Sequence, residues 1–491
     1  MKLYQVITTA VIFGMFGCKK TDDQVKIIGK INGEVPEEIF YTIPSDGICN
    51  YVLKKSLKPD SAGNFEIALK IDKPSFIKLS VFKKASGIIL VEKQMNYQVR
   101  FNLELEENQF TVSGKNEEGQ NELNKLEYSG SIQSYARQYL KDTSAYEIKE
   151  KIRKTKENYI NKFEALASNG KISGDFLELV KLDRECYYSL LQGTVALIKK
   201  YQDGNKNNGS FSTEISEMWQ EAFNGYPPTE KELLRSPWYF EYADNFIKYN
   251  EYTHDSFNLD SLQEVFKMGL IHTHNIDESS KHLSSEMLEY HNASYLYIKS
   301  FQKRYEKELI ALFEEFELKN PNSKFNESIE TLIMPIIEYH EVKENEFTKN
   351  IKFIDGYESM NTLNEVTNTL KGKKIYIDIW ATWCGPCKEE FAYKAGLDKL
   401  LVENNVELLY ISIDENEKEK QWKEMIKFYK LEGHHVLANE SLELNLRELF
   451  TKHKGIAIPW YLIIDEGGNI KTKYASKPSE LNSLRRELNT I

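Results

Sequence analysis

Cysteine is scarce in this chain: only five occur among 491 residues, at positions 18, 49, 186, 384 and 387. So few thiols in so long a chain exclude a disulfide-built scaffold, and each needs its own account. A basic face is also missing. The net charge is −11 and no lysine–arginine patch stands out, so no nucleic-acid partner is expected. No second C-x-x-C accompanies Cys384 and Cys387, and a structural zinc site needs four ligands. The histidines His272, His274, His282 and His291 supply no i, i+4 pair, so no metal is expected there either. What is present describes an ordinary globular protein: 41% hydrophobic and 28% charged residues, enough apolar material for sizeable cores. The length implies two to four domains.

The first residues read MKLYQVITTAVIFGMFGCKK. Lys2 is followed by an apolar run from Val6 to Phe16, then Gly17-Cys18. That run is too short for a bilayer, which takes about twenty residues, and suits a cleaved signal. The arrangement resembles a bacterial lipoprotein signal peptide, although Met15 and Phe16 are bulkier than the residues usual before Gly-Cys. The resemblance implies cleavage before Cys18 and lipidation of its thiol, so residues 1–18 are read as signal peptide with its lipobox cysteine. Residues 19–24, KKTDDQ, are polar and suit a tether. Lys19 does not resemble the aspartate that retains lipoproteins at an inner membrane, which favours an outer-membrane location facing the periplasm.

Three regions follow. Residues 25–115 carry short β-like runs about every ten residues with turns such as Ser61-Ala62-Gly63-Asn64, the pattern of an all-β sandwich-like domain. DSAGNFEI and FTVSGKNEEGQ within it resemble the small β domain found ahead of thioredoxin domains in envelope lipoproteins. Residues 116–345 turn helical. Phe301, Tyr305, Leu309, Leu312 and Phe316 fall on one face of a single expected helix, and Leu182, Cys186, Leu190, Gly193 and Leu197 on another. Cys186 is thus a core thiol and Cys49 an unpaired one beside a turn. A disulfide between them is chemically permitted outside the cytoplasm, but nothing in the spacing suggests it. Trp238-Tyr239-Phe240 reads as packing. Residues 346–491 alternate strands and helices, with strands at IYIDIW, VELLYISI and WYLIID, which implies an α/β sandwich on a mixed sheet.

Cys384 and Cys387 follow the buried strand IYIDIW and open a helix. Unsatisfied N–H groups and the helix dipole there favour a thiolate on Cys384, and Cys387, one turn on, can resolve a mixed disulfide. Gly385 and Pro386 fit between them, since proline is tolerated in a first helical turn. DIWATWCGPC is similar to the thioredoxin family, and closest to its envelope-facing TlpA/ResA-type thiol–disulfide oxidoreductases. The resemblance implies a nucleophilic Cys384, a resolving Cys387, and a disulfide between them as the redox centre, with no other cofactor. It implies that Trp383 shields the site, and that Trp383, Gly385, Pro386, Ile458 and Trp460 meet the substrate. Ile458-Pro459 matches the family's cis-proline site, although Trp460 stands where threonine is common. Asp378, six residues before Cys384, matches the family's buried acid; within a strand, desolvation should raise its pKa so that it can take the Cys387 proton. Glu390 matches the glutamate of the ResA-type WCxPCxxE pattern and is a second candidate acid, with a solvated glutamate as its alternative. Ala392 replaces a proline usual in that helix, so a kink there is not expected.

Gly-Pro between the cysteines is thioredoxin's dipeptide, and thioredoxin is a reductant at about −270 mV against about −120 mV for the oxidant DsbA. The expectation is a lipid-anchored reductase of protein disulfides, fed by a membrane electron donor. Two alternatives stand beside it: a partner-binding lipoprotein with an accessory thioredoxin domain, and a disulfide isomerase.

Overall fold

The computed structural model describes residues 24–490 apart from 82–83, 108, 126–130, 143, 205–212, 255–257, 343–344 and 451–455. The expected signal peptide with Cys18, and all of the expected tether but Gln24, lie outside the described residues. The architecture is multidomain: a strand-rich N-terminal region, a helical centre and a thioredoxin-like α/β C-terminal region. No helix among the described residues is long and apolar enough to cross a membrane. The helical centre is not a body of its own. One compact unit contains the residues up to 257 together with 282–287, and the second contains 258–281 and 288–491.

In the first unit, eight strands form two four-stranded sheets. They are β1 (Val25–Asn32), β2 (Ile39–Thr42), β3 (Lys54–Leu57), β4 (Asn64–Leu69), β5 (Ser75–Val81), β6 (Ala85–Val91), β7 (Asn96–Asn102) and β8 (Phe110–Gly114). One sheet runs β4-β1-β7-β8 and the other β3-β2-β5-β6. Period-2 burial in β4 and β7 points Phe65, Ile67, Tyr97, Val99 and Phe101 into a shared core with Ile77, Leu79, Ile89 and Val91. β6 breaks the alternation, because Ile88 and Leu90 on its other face pack with Phe76 on Leu123, Phe163, Phe176 and Leu179 from the helices. A strand covered on both faces carries a continuous apolar run, which explains GIILV.

The helices of this unit are α1 (Glu117–Leu123), α2 (Ile132–Ala136), α3 (Ala145–Ser168), α4 (Gly174–Gly204), α5 (Thr213–Glu221) and α6 (Tyr239–Thr253). The amides of α1 and its C-cap act as a substitute strand. Gln120 exchanges hydrogen bonds of 2.6 and 3.0 Å with the Leu90 backbone, and Asn124 does so with Ile88 at 2.7 and 2.8 Å. Asn121 closes Val112 of β8 in the same way, at 2.8 and 3.0 Å. Both sheet edges thereby lose the free backbone groups that invite further pairing. Trp238, Tyr239 and Phe240 are buried. Cys49 and Cys186 are both buried, and neither is in a disulfide among the described residues. Burial pushes the Cys49 thiol up to about 12 and raises that of Cys186, which leaves both as inert core groups.

The second unit begins with α7 (Leu259–Lys267), α8 (Ile271–His282) except for its last residue, α9 (Ser285–Phe301) from Leu288 onward, α10 (Glu308–Lys319) and α11 (Asn326–Val342). The single helix expected across 301–316 is in fact two. α9 ends at Phe301, which is 48% exposed, and α10 starts at Glu308. Between them Lys303 and Tyr305 adopt left-handed φ values of +54° and +61°. Tertiary partners of this loop, described below, outweigh the i, i+4 pattern; Leu309, Leu312 and Phe316 keep their shared buried face on α10.

The rest of the unit is a six-stranded mixed sheet, ordered β14-β13-β10-β11-β12-β9. The strands are β9 (Ile351–Phe353), β10 (Lys374–Trp380), β11 (Val406–Ser412), β12 (Gly433–Leu437), β13 (Trp460–Ile464) and β14 (Ile470–Thr472). β10, β11, β12 and β9 are parallel, and β13 and β14 run antiparallel through a turn in which Gly468 has φ +84°. The helices are α12 (Leu363–Asn368), α13 (Gly385–Glu390), α14 (Lys394–Glu403), α15 (Glu419–Tyr429), α16 (Glu440–Phe450) and α17 (Leu481–Leu488). β10 is buried along its length, the mark of a central strand covered by helices on both faces.

Candidate functional site

Cys384 and Cys387 form a disulfide with their Cα atoms 5.4 Å apart. Cys384 is the N-cap of α13, and its sulfur accepts the Cys387 backbone N–H at 3.1 Å. The same donor and the helix's partial positive end would stabilise a thiolate once the bond is reduced. Pro386 sits in the first turn, where its missing N–H costs nothing. Cys384 is 2% exposed whereas the preceding Trp383 is 56% exposed, so the indole stands in solvent beside a shielded sulfur.

The Ile458–Pro459 peptide is cis. Antiparallel pairing of Ile379 with Trp460 brings Pro459 to the end of β10 from which the cysteine loop departs. Ile458 and Pro459 are half-buried and Gly385 likewise, while Pro386 is exposed. Trp460 differs from the expected substrate contact: it is 3% exposed, packs on Phe450 and Tyr474, and donates its Nε1–H to the Lys473 carbonyl at 2.6 Å. Its side chain is spent on packing.

Asp378 lies in mid-strand between Tyr410 of β11 and Tyr461 of β13 and is 1% exposed. Its Oδ1 has no hydrogen-bond partner among the described residues. Burial, reinforced by the nearby Glu390 charge, holds its pKa well above the ordinary carboxylate range. Glu390 is not the solvated side chain of the alternative reading. It is 6% exposed and accepts hydrogen bonds from the Ser479 N–H at 2.9 Å and hydroxyl at 3.1 Å, with Lys477 Nζ at 3.7 Å. These ties hold the active-site helix to the C-terminal segment. The helix is also interrupted: a 3-10 turn at Phe391–Tyr393 separates α13 from α14. The break that was not expected at Ala392 therefore occurs without proline.

Residues 346–488 match the Redoxin family. The chain is 35% identical over 69 residues to the thiol-disulfide oxidoreductase ResA of Bacillus subtilis, covering 13% of this chain and 38% of that one. It is 28% identical over 100 residues to ResA of Bacillus thuringiensis subsp. konkukian, covering 20% and 53%. The chain thus spans at most about half the length of these curated relatives. Among solved structures, StoA of Bacillus subtilis aligns at 25% identity and a TM-score of 0.19, over 24% of this chain and 83% of that one.

The C-terminal region is a thioredoxin-like domain that matches the Redoxin family.

Within this Redoxin domain the fold gathers Cys384, Cys387, Trp383 and Pro459 at one end of β10, with Asp378 buried two residues before that strand ends. Two contributors escaped the sequence reading. Asp414, 3% exposed just after β11, accepts the Thr382 N–H at 2.8 Å and hydroxyl at 2.7 Å, and the Ser412 hydroxyl at 2.6 Å. It thereby fixes the turn that carries Trp383 and Cys384. Lys388, next after Cys387, is 2% exposed, and burial lowers its pKa to about 7. The serine-x-aspartate at the end of VELLYISID could have hinted at the first; nothing local marks the second, since lysines after such cysteines look solvated on paper. Among the described residues, no group of three or more potential metal ligands is gathered.

Proposed function

We propose that this protein is a thiol–disulfide oxidoreductase that reduces protein disulfides through Cys384 and Cys387. The observation that carries the reading is the Cys384 sulfur at a helix N-cap, bonded to its resolving partner, next in the chain to the exposed Trp383, with the cis-Pro459 at the end of β10 from which its loop departs. In the reaction, the Cys384 thiolate attacks a substrate disulfide; one S–S bond breaks, a mixed disulfide forms, and the first substrate sulfur leaves as a thiol after protonation. Cys387 then loses its proton to Asp378 in its carboxylate form, the form populated as pH approaches the raised folded pKa, and attacks Cys384, releasing the second substrate thiol and forming the Cys384–Cys387 disulfide. Two electrons have passed to the substrate, and a dithiol donor restores the pair. The disulfide is the only redox group the cycle requires.

The ResA-named relatives support the reaction class, and Gly385-Pro386 supports the reducing direction. A lipid anchor at Cys18, an outer-membrane site facing the periplasm and a membrane-borne donor complete the proposal, on the strength of the Lys2 to Cys18 pattern. The test is equilibration of the pair against glutathione. A potential near the roughly −270 mV of thioredoxin supports a reductase; one near the roughly −120 mV of DsbA overturns the direction and makes the protein an oxidant.

A further inference from the structure

Lys388 occupies an uncomfortable position. An ammonium taken out of water needs partners, and this one, in the last turn of α13, is 2% exposed. It nevertheless has a receptor, supplied from outside the Redoxin domain by the loop between α9 and α10. Its Nζ donates to the Lys303 carbonyl and lies 5.4 Å from the centre of the Tyr305 ring. The two receptor residues are those with left-handed φ, a conformation that persists in a non-glycine residue only where surroundings enforce it.

The enforcement is visible. The Tyr305 hydroxyl bonds that of Tyr429, its carbonyl accepts from His340 Nε2 at 2.8 Å, and its ring stacks on Tyr339 at 5.0 Å and meets Phe428 edge-on at 5.2 Å. Tyr429 in turn packs on Phe391 at 5.0 Å, at the 3-10 break of the active-site helix. Residues 302–307 therefore grip that helix twice, at Lys388 directly and at Phe391 through Tyr429.

We infer that this loop is a strap on the active-site helix, and that through it Lys388 serves as a positioning residue that sets the reactivity of the Cys384–Cys387 pair. The inference rests on reading that pair as redox-active, and it gives part of the helical region a role in the chemistry. The physical route is electrostatic. Asp414 and Glu306 favour the ammonium while Lys303 and Arg304 oppose it, and burial brings its titration to about 7. Below that pH a desolvated cation adds to the helix N-terminal field on a Cys384 thiolate. Favouring the thiolate favours the reduced pair.

The experiment uses the intact chain with Lys388→Met, Lys388→Arg and Tyr305→Ala. Thiolate absorbance at 240 nm is titrated against pH, and the dithiol–disulfide equilibrium with glutathione is measured at pH 6. Lys388→Met should raise the Cys384 titration midpoint by about half to one unit and shift the equilibrium toward the disulfide, by up to about three- to tenfold to the extent that the wild-type thiol is ionised at that pH. Lys388→Arg should restore both, and Tyr305→Ala should move both in the same direction as Lys388→Met, because the strap is lost and the ammonium is solvated. Unchanged midpoint and equilibrium in Lys388→Met and Tyr305→Ala would reduce Lys388 to a packing residue and overturn the inference. Should Lys388→Met not fold, Tyr305→Ala decides alone. A wild-type protein that reduces no protein disulfide would instead overturn the proposed activity, and these readouts would remain interpretable.

Discussion

Replacing Asp378 with asparagine removes a charge from the middle of the sheet while keeping the side chain's shape. Asp378 is fully enclosed, its Oδ1 has no partner among the described residues, and its folded pKa is raised, first by desolvation and then by Glu390. In the unfolded chain the carboxyl titrates near 3.9. The folded state therefore holds the proton more tightly than the unfolded state. The contribution to stability is fully present below the unfolded pKa and is lost as pH rises toward the folded one. The loss accrues at about 1.4 kcal/mol per pH unit for one proton, so between pH 5 and pH 7 it reaches up to about 2.7 kcal/mol. For a domain of this size each kcal/mol moves Tm by about 2–4 °C, a difference of roughly 5–11 °C. Asp378→Asn carries no such term. Differential scanning calorimetry of the oxidised proteins should show the variant gaining on wild type as pH rises over this range. Its reduction of insulin disulfides should fall by about a hundredfold or more, since a positioned base contributes on that scale. A stability difference independent of pH would refute the assignment of a buried, proton-retaining acid.

Cys387→Ser should leave Cys384 able to attack but unable to be released, so mixed disulfides with substrate accumulate on non-reducing gels; an absence of adducts would argue against Cys384 as the nucleophile. Asp414→Ala strands the Thr382 N–H and the Thr382 and Ser412 hydroxyls, and should cost about 3 kcal/mol, read as a fall of roughly 6–12 °C in the melting of the Redoxin domain. Gly87→Ala would set a Cβ 2.0 Å from the Phe110 ring, and should destabilise the β domain by about 1–3 kcal/mol while leaving the dithiol potential unchanged.

Chemistry that depends on near neighbours in the chain was legible before any fold was known. A cysteine pair one helical turn apart, a glycine-proline filling and a preceding apolar strand place a dithiol at a helix start, because helix and strand periodicities are local properties. The same holds for the alternating strands of the first unit, and for Asp378, whose flanking isoleucines announce burial. β12 and α16 were passed over, since HHVL is short and the Asn439 cap of the helix, whose Oδ1 accepts the Leu442 N–H at 2.9 Å, was not recognised. Glu390 shows the limit of local reading: its sequence context, KEE, looks solvated, and only the return of the chain at Ser479 buries it.

What the order of residues could not disclose is whatever depends on partners far along the chain. The stripe from Phe301 to Phe316 has helical spacing, yet the chain breaks at Lys303 and Tyr305 because Lys388 and Tyr429, more than 80 residues away, offer better contacts than another turn would. The amides of α1 look like an ordinary polar helix until they meet the open edges of β6 and β8. Local patterning decides which segments become helix or strand, since those energies are summed over neighbours. Which polar groups are buried, which loops bear strain and what surrounds the sulfurs follow from long-range packing, where desolvation makes each distant partner count.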